Sequence, residues 1–546
     1  GMFAFAFLDT RKRELLLCRD RLGIKPLYYA SVPGAFLFAS EIKALLKHPS
    51  LPARLDESAL AEFIQYRYVS GERVMFSDVR ELRPGCALKL NLDTLELKVE
   101  TYWQPRQRSG DAVSGEMDVL GSLRRSVAMQ LVSDVPLGTQ LSGGLDSSLV
   151  TALAVEKKAG EMHTFSIAFP TAAEDESRWA ELIASKLGTI HHRVPWTEHG
   201  FLAELAHCTY INDEPLNHPN SVPMYGLCKH AKNFVTVVLT GEGADELFGG
   251  YSWHRRLWRL GWLGRMPAGS AFRKLGELAP EGSRVSRAAR LMGKTACEMA
   301  LESGKWVSDA ALAGVWRGRG ATSGKTSWPG GNDPLSMSLD MDLRHYLVSV
   351  LQRQDRMSMA AGVESRVPYL DHLLVEEALK IPTGSLFASG AGKTPLRRAA
   401  QGILPDEVIW RPKIGFQVPI SKWMRGDRGM GALLSWLVDD RGGARGFWDV
   451  AGVGPLIREH RDGKADHSEA LWSLLSLETW SRIWLDSTPH QQLGEEILSA
   501  AGGSAASGIR GSPKRAGLSV CHVVPSLEVG GMERVVLSLL EGDRDG

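Results

Sequence analysis

Leu141-Ser142-Gly143-Gly144-Leu145-Asp146-Ser147-Ser148 is the stretch that decides the fold of this 546-residue chain. It lies between residues 135–141, an apolar run that reads as a strand, and residues 147–158, which read as a helix closed by Gly160. Two glycines without Cβ atoms let the backbone close on an anion, and a helix N-terminus offers unpaired N–H groups at the positive end of its dipole. The serines add hydroxyl donors. Bare phosphate would repel Asp146, so its presence makes sense if a Mg²⁺ ion lies between them. The Gly-Lys-Ser/Thr ending of a Walker loop is missing, and a Gly-rich turn standing alone would be no more than a tight turn.

Strand and helix keep alternating outward from this loop. Residues 164–169, 189–194 and 235–240 read as strands, and 176–187 and 224–233 as helices. Such alternation implies an α/β fold whose parallel sheet binds ligands at the carboxyl ends of its strands. From Phe3 to about Trp103 the signal is different: residues 3–8, 14–19, 27–30 and 36–39 are short apolar or alternating runs split by Asp, Gly and Pro, which predicts a sheet-rich domain. Beyond Tyr251 the spacing is mostly helical, interrupted by a Gly/Pro/Ser-rich loop over about 318–334. Polar, Gly/Ser-rich residues 104–116 and 500–517 read as linkers.

Composition narrows the partners. Lys plus Arg (64) and Asp plus Glu (63) nearly cancel, so no global field draws the chain to nucleic acid or an anionic membrane. Cys18, Cys86, Cys208, Cys228, Cys297 and Cys521 form no CxxC pair, which fits reduced thiols rather than a disulfide frame or zinc site. No apolar run approaches the roughly 20 residues of a membrane span, and the first residues lack a charged region with a cleavage site. The expected location is the cytoplasm.

A second segment, Leu239-Thr240-Gly241-Glu242-Gly243-Ala244-Asp245-Glu246-Leu247-Phe248-Gly249-Gly250-Tyr251, follows the strand at 235–240. Three carboxylates crowded at a strand end repel one another unless a cation or a proton-transfer role compensates, although a solvated acidic loop is the plain alternative. Its expected position opposite the phosphate loop, on the same sheet edge, favours the first reading.

Residues 142–148 resemble the pyrophosphate loop of enzymes that split ATP to AMP and pyrophosphate, a superfamily that includes asparagine synthetases, argininosuccinate synthetase, GMP and NAD synthetases and tRNA-thiolation enzymes. Residues 239–251 resemble the Ser-Gly-Glu-Gly-x-Asp-Glu element of asparagine synthetases and their relatives that make β-lactam rings, and this makes the choice. Asp355-Arg356-Met357-Ser358-Met359-Ala360 with Gly362-Val363-Glu364-Ser365-Arg366-Val367-Pro368-Tyr369-Leu370-Asp371 is similar to a third stretch of that family, though a helix cap and a salt-bridged turn would explain most of it equally well. Trp410-Arg411-Pro412-Lys413-Ile414-Gly415-Phe416 resembles the family's lysine-bearing loop. The resemblance covers nearly everything from Phe3 to about Leu485.

The resemblance to glutamine-hydrolysing, class B asparagine synthetases implies a parallel sheet of the PP-loop ATP pyrophosphatase (adenine nucleotide alpha-hydrolase-like) type with a helical C-terminal part, preceded by a partial β-rich Ntn glutaminase domain. The implied domains are a truncated class II amidotransferase unit at 1–103, the ATP-pyrophosphatase unit at 117–495, a linker at 496–517 and a glycosyltransferase-like start at 518–546. Leu141, Ser142, Gly143, Gly144, Asp146, Ser147, Ile167, Thr240 and Gly241 are the implied ATP and pyrophosphate contacts, Asp146 and Asp245 the Mg²⁺ carboxylates, Glu242 the acid/base residue and Lys413 the cation aimed at developing charge. The implied reaction is amidation of a carboxylate, aspartate first, through an acyl-adenylate, with AMP and pyrophosphate released and ammonia as nucleophile. Such an enzyme needs no nucleic acid or membrane partner, and a homodimer is compatible with it.

Full-length relatives open with a cysteine whose thiol and α-amine hydrolyse glutamine. Gly1-Met2-Phe3-Ala4-Phe5 instead resembles the middle of that domain, with residues 19–29 and 39–46 resembling its later segments, and Cys18 and Cys86 read as core. Glutamine-dependent activity of this polypeptide is therefore expected to be near zero. Residues 518–536 resemble the opening of glycosyltransferases built from two Rossmann-like halves, and that adjacency hints at a rival acceptor, a carboxylate of surface polysaccharide assembly, with Asn217-His218-Pro219-Asn220 as the place where such a change could sit. A non-catalytic scaffold is a third reading, opposed by the complete Ser142–Ser148 turn with Glu242 and Asp245.

Overall fold

A computed structural model of the chain describes residues 1–108, 117–158, 160–169, 177–261, 291–316, 333–412, 415, 417–502 and 537–538. Five parallel strands form its centre in the order β10-β9-β8-β11-β12, where β8 is Leu137–Gln140, β9 His163–Ala168, β10 Ile190–Pro195, β11 Val237–Leu239 and β12 Glu364–Arg366. The chain is an α/β protein with a helical C-terminal part and a β-rich N-terminal region.

β8 and β11 are direct neighbours in register, with Val238 paired to Gly138 and Leu239 to Thr139. Their side chains explain the burial on both faces: Leu137, Val237, Val238 and Leu239 are nearly inaccessible, as continuous apolar strands of a covered parallel sheet must be. β12 lies outside the sequence expectation. It has three residues with a charge at each end and no alternation, and it becomes a strand only by pairing with β11.

In the N-terminal region, β1 (Ala4–Asp9), β2 (Glu14–Arg19), β6 (Cys86–Asn91) and β7 (Leu97–Thr101) form one antiparallel sheet. β3 (Tyr28–Val32), β4 (Ala35–Ala39) and β5 (Arg80–Glu81) form a second, which residues 537–538 join through β4. Leu15 and Leu17 on β2 point inward while their neighbours are half-buried, the period-two pattern of a sheet with one covered face. Along the chain come the helices α1 (Glu57–Tyr66), α2 (Val119–Gln130), α3 (Leu145–Lys157), α4 (Ser177–Leu187), α5 (Glu198–Asn212) and α6 (Ser221–Ala231). After β11 come α7 (Ala244–Phe248), α8 (Ser252–Leu260), α9 (Leu347–Ala360), α10 (Thr394–Ala400), α11 (Ser468–Trp484) and α12 (His490–Ala500), with shorter helices between them. Among the described residues no helix is long and apolar enough to cross a membrane.

Three expectations shift. The helix expected from Ser147 begins at Leu145, because extended Gly144 (φ −78°, ψ 163°) serves as its N-cap, so Asp146 and Ser147 occupy the first helical turn rather than the loop. The linker expected from 496 is helical to Ala500, where Leu493 and Ile497 bury against α5. The linker expected from 104 is anchored by buried Arg108, which donates to the carbonyls of Leu247, Ala378 and Ile381. Burial pushes that guanidinium down to about 10. Residues 109–116, 317–332, 503–536, 539–546 and Lys413 lie outside the described residues, and with them the rest of these linkers, most of the expected loop and all but 537–538 of the glycosyltransferase-like segment.

Candidate active site

The two turns singled out by sequence meet. Each leaves the carboxyl end of one of two adjacent parallel strands, β8 and β11, and a Cβ on Gly241 would stand 2.8 Å from the backbone nitrogen of Ser147 and 3.1 Å from Cβ of Asp146. Only glycine at 241 lets the acidic turn approach the first turn of α3 this closely. Gly143 is held at φ +72° with its Cα facing Trp179 and Ala180, so a side chain there would be both strained and blocked.

Between the turns lies a cleft of about 230 Å³. Leu141, Ser142, Gly144, Asp146, Ser147, Ile167, Thr240, Gly241, Glu242 and Asp245 all line it. Gly143 does not, but its carbonyl accepts from Arg411 Nη2 at 3.1 Å, and Arg411 itself lines the cleft. At the mouth, the Ser142 and Ser147 hydroxyls lie 3.0 Å apart and the N–H of Gly144 points to Ser142 Oγ at 3.3 Å. Phe165, Ile167, Phe169, Met224 and Leu227 add an apolar surface to the lining. The polar groups of the lining suit phosphate oxygens and the apolar ones an aromatic base.

The three carboxylates of the acidic turn diverge. Asp245 faces Lys393, whose Nζ lies 2.6 Å from Asp245 Oδ1 and 2.6 Å from Asp146 Oδ2. Glu242 turns to Arg353 Nη2 at 2.9 Å, and Arg353 Nη1 reaches Asn220 Oδ1 at 2.8 Å. Glu246 is buried in the core, accepting from Tyr251 Oη at 2.6 Å, and burial, reinforced by the charge of Asp245, pushes its carboxyl up to about 8.

Lys393 has no counterpart in the sequence expectation. It sits at φ +55° before α10, its N–H bound to Phe248 O at 3.0 Å, and a left-handed lysine that is nearly inaccessible is costly unless its position serves the site. Its sequence signal is the run Gly390-Ala391-Gly392-Lys393-Thr394-Pro395, a glycine-rich turn that presents a lysine at a helix start. Lys413, the expected cation, lies outside the described residues.

A divalent cation fits here. Asp146 and Asp245 share one ammonium, and among the described residues the buried Asp146 Oδ1 has no hydrogen-bond partner. A buried lone pair without a partner is the signature of a group built for something else to reach.

The third sequence segment is structural. Glu364 pairs with Arg366 at 2.8 Å, Asp371 caps the helix His372–Ala378, Asp355 binds Lys25 and Arg356 binds Asp213. Of the Asn217–Asn220 stretch, Asn220 reaches the Arg353–Glu242 pair, Asn217 donates to Ser349 O, and buried His218 bonds Tyr346 Oη at 2.8 Å, with burial holding its imidazole well below the ordinary range. Cys18 and Cys86 lie within the β-rich region; burial raises the Cys18 thiol, and Cys86 Sγ lies 3.5 Å from Thr101 Oγ1.

Comparison with known proteins shows which family the chain resembles. Residues 118–482 match the asparagine synthase family and residues 1–103 the glutamine amidotransferase domain. A Mycobacterium tuberculosis protein provisionally named a glutamine-hydrolysing asparagine synthetase is 32% identical over 91% of this chain and 78% of its own length. Glutamine-hydrolysing asparagine synthetase 1 of Bacillus subtilis is 29% identical over 88% of this chain and 77% of its own length. An amidase of Penicillium rubens is 27% identical over 78% and 70%.

Proposed function

The chain belongs to the asparagine synthase family, ATP-dependent carbon–nitrogen ligases, and we propose that it amidates aspartate through an acyl-adenylate, using ammonia and releasing AMP and pyrophosphate. The observation that carries this reading is the convergence of Asp146, Asp245 and Lys393 where two adjacent strands of one sheet deliver their turns. A carboxylate is a poor electrophile, and transferring AMP to it turns one oxygen into a leaving group. The protein's task is then to align the phosphates and to carry the charge that grows on them.

In this reading the backbone of 142–144 and the Ser142 and Ser147 hydroxyls hold the pyrophosphate, while Phe165, Ile167 and Met224 face the base. Lys393 neutralises charge at the phosphate that is attacked, and Arg411 steadies the loop through Gly143 O. Asp146 and Asp245 would hold Mg²⁺, which when bound neutralises and orients the leaving pyrophosphate. Glu242, kept ready by Arg353, takes the proton that the attacking amine must lose. Burial raises the Cys18 thiol, which makes it a poor nucleophile, and Cys86 is buried beside Thr101. Free ammonia is the nucleophile proposed for the ligase centre.

The test is pyrophosphate and AMP release by the purified chain with ATP, Mg²⁺, ammonia and a panel of carboxylic acids. Release should depend on aspartate and yield asparagine one for one with AMP. Release with a different acid and none with aspartate would reassign the acceptor; ADP in place of AMP would overturn the adenylate.

A further inference from the structure

Helix α9 carries Arg353 to the ligase centre, yet three of its polar residues, Gln352, Asp355 and Arg356, are gripped by the β-rich N-terminal region. Lys25 Nζ reaches Asp355 Oδ1 at 2.6 Å, with both side chains about nine-tenths buried. Gln352 Nε2 donates to Glu81 Oε1 at 2.5 Å and to Tyr28 Oη at 3.1 Å. Arg356 donates to Ser40 O at 3.3 Å and to Asp213 Oδ2 at 2.5 Å, and its guanidinium stands over the Tyr28 ring.

Gln352, Asp355 and Arg356 are spaced i, i+3, i+4 and so share one face of the helix. Arg353 follows Gln352 by one residue, about 100° round the axis, and faces Glu242 and Asn220. Three anchors on one face set both the rotation and the axial position of a rigid helix, and hence where the neighbouring guanidinium lies.

The anchors are themselves held. Asp20 accepts the N–H groups of Leu22, Ile24 and Lys25 at 3.1, 3.0 and 2.9 Å, which fixes the turn that presents Lys25. Arg19 binds Glu81 and the carbonyls of Gly23, Lys25 and Leu82. Asp213 takes the N–H of Ile42 at 2.7 Å as well as Arg356.

We propose that Lys25 and Glu81 are positioning residues of the ligase centre, acting through α9 to hold Arg353 on Glu242. The proposal rests on Glu242 acting in that centre. It gives the β-rich region a part in amidation that needs no glutamine chemistry.

The decisive variant is the pair Lys25→Met/Asp355→Leu in the full chain, because exchanging a buried ion pair for apolar groups of similar size usually leaves stability near its original value. A merely structural pair predicts that activity returns with the thermal midpoint. Positioning predicts a normal midpoint, an unchanged KM for ATP and kcat for AMP formation lowered about tenfold, with the single Lys25→Met lower still. In the same double variant, hydrogen–deuterium exchange of residues 240–246 should rise about threefold or more. That exchange needs no turnover, so a chain inactive with every acid tested would sink the proposed reaction and leave this inference to stand or fall on exchange. Wild-type kcat together with wild-type exchange would overturn it. Should the double variant not fold, Gln352→Leu, which leaves every charge paired, carries the same expectation with a loss of about threefold.

Discussion

The β-rich N-terminal region and the ligase cleft both bury charge, and they treat it in opposite ways. Arg19 and Glu81 are almost inaccessible, and Arg19 alone makes bonds to one carboxylate and three carbonyls. In the cleft, two aspartates divide one lysine, and Asp146 Oδ1 has no partner among the described residues. The first arrangement completes itself and so serves the fold. The second leaves one buried carboxylate oxygen open among the described residues, where a ligand could reach it.

That contrast can be broken most directly at the cleft. Asp146→Asn or Asp245→Asn should lower ATP–pyrophosphate exchange by about a thousandfold or more, while the thermal midpoint without ATP barely moves, since the remaining aspartate keeps Lys393 paired. Exchange at the wild-type level would detach these carboxylates from the chemistry. In the N-terminal region the order should reverse: Arg19→Met leaves Glu81 buried and unpaired, costing about 3–5 kcal/mol in urea unfolding. A cost under about 1 kcal/mol would mean that this pair is not a structural anchor.

Glu246 sharpens the contrast, because it belongs to the acidic turn yet is buried like a core residue. Burial raises its folded-state pKa from 4.5 to about 8, so the native state keeps a proton that the unfolded chain releases near pH 4.5. Its contribution is present below that pH and lost as pH rises towards 8, beyond which both states are ionised. Glu246→Gln keeps an acceptor for Tyr251 and has no proton to lose. The variant should therefore gain on wild type by roughly 1–2 kcal/mol between pH 5 and pH 8, read from denaturation midpoints. A gap that does not vary with pH would show Glu246 ionised in the folded chain.

Much of the cleft was legible beforehand because its parts are local. Residues 141–148 carry their own glycines, serines and helix start, and residues 239–246 follow an apolar β-branched run. A strand end and a glycine turn are determined by neighbours in sequence. The helix cap and salt-bridged turn weighed as one of two readings of residues 355–371 are local as well: Glu364 pairs with Arg366 and Asp371 caps the next helix.

The cations were not. Lys393 stands 148 positions beyond Asp245 and Arg353 stands 111 beyond Glu242, and nothing in either local stretch says which carboxylate it meets. β12 shows the same limit, since three residues pair with β11 only because the chain returns to that edge.

By itself, the amino-acid sequence determined an alternating α/β core, a glycine-serine phosphate turn and an acidic turn after a later strand, because dihedral freedom, apolar period and helix capping act within a few residues. Tertiary structure alone decided that β8 and β11 are neighbours, that Lys393 bridges their turns, and that the β-rich region holds α9 against Glu242. Those outcomes depend on charges meeting across the fold, and a buried charge finds its partner in space rather than along the chain.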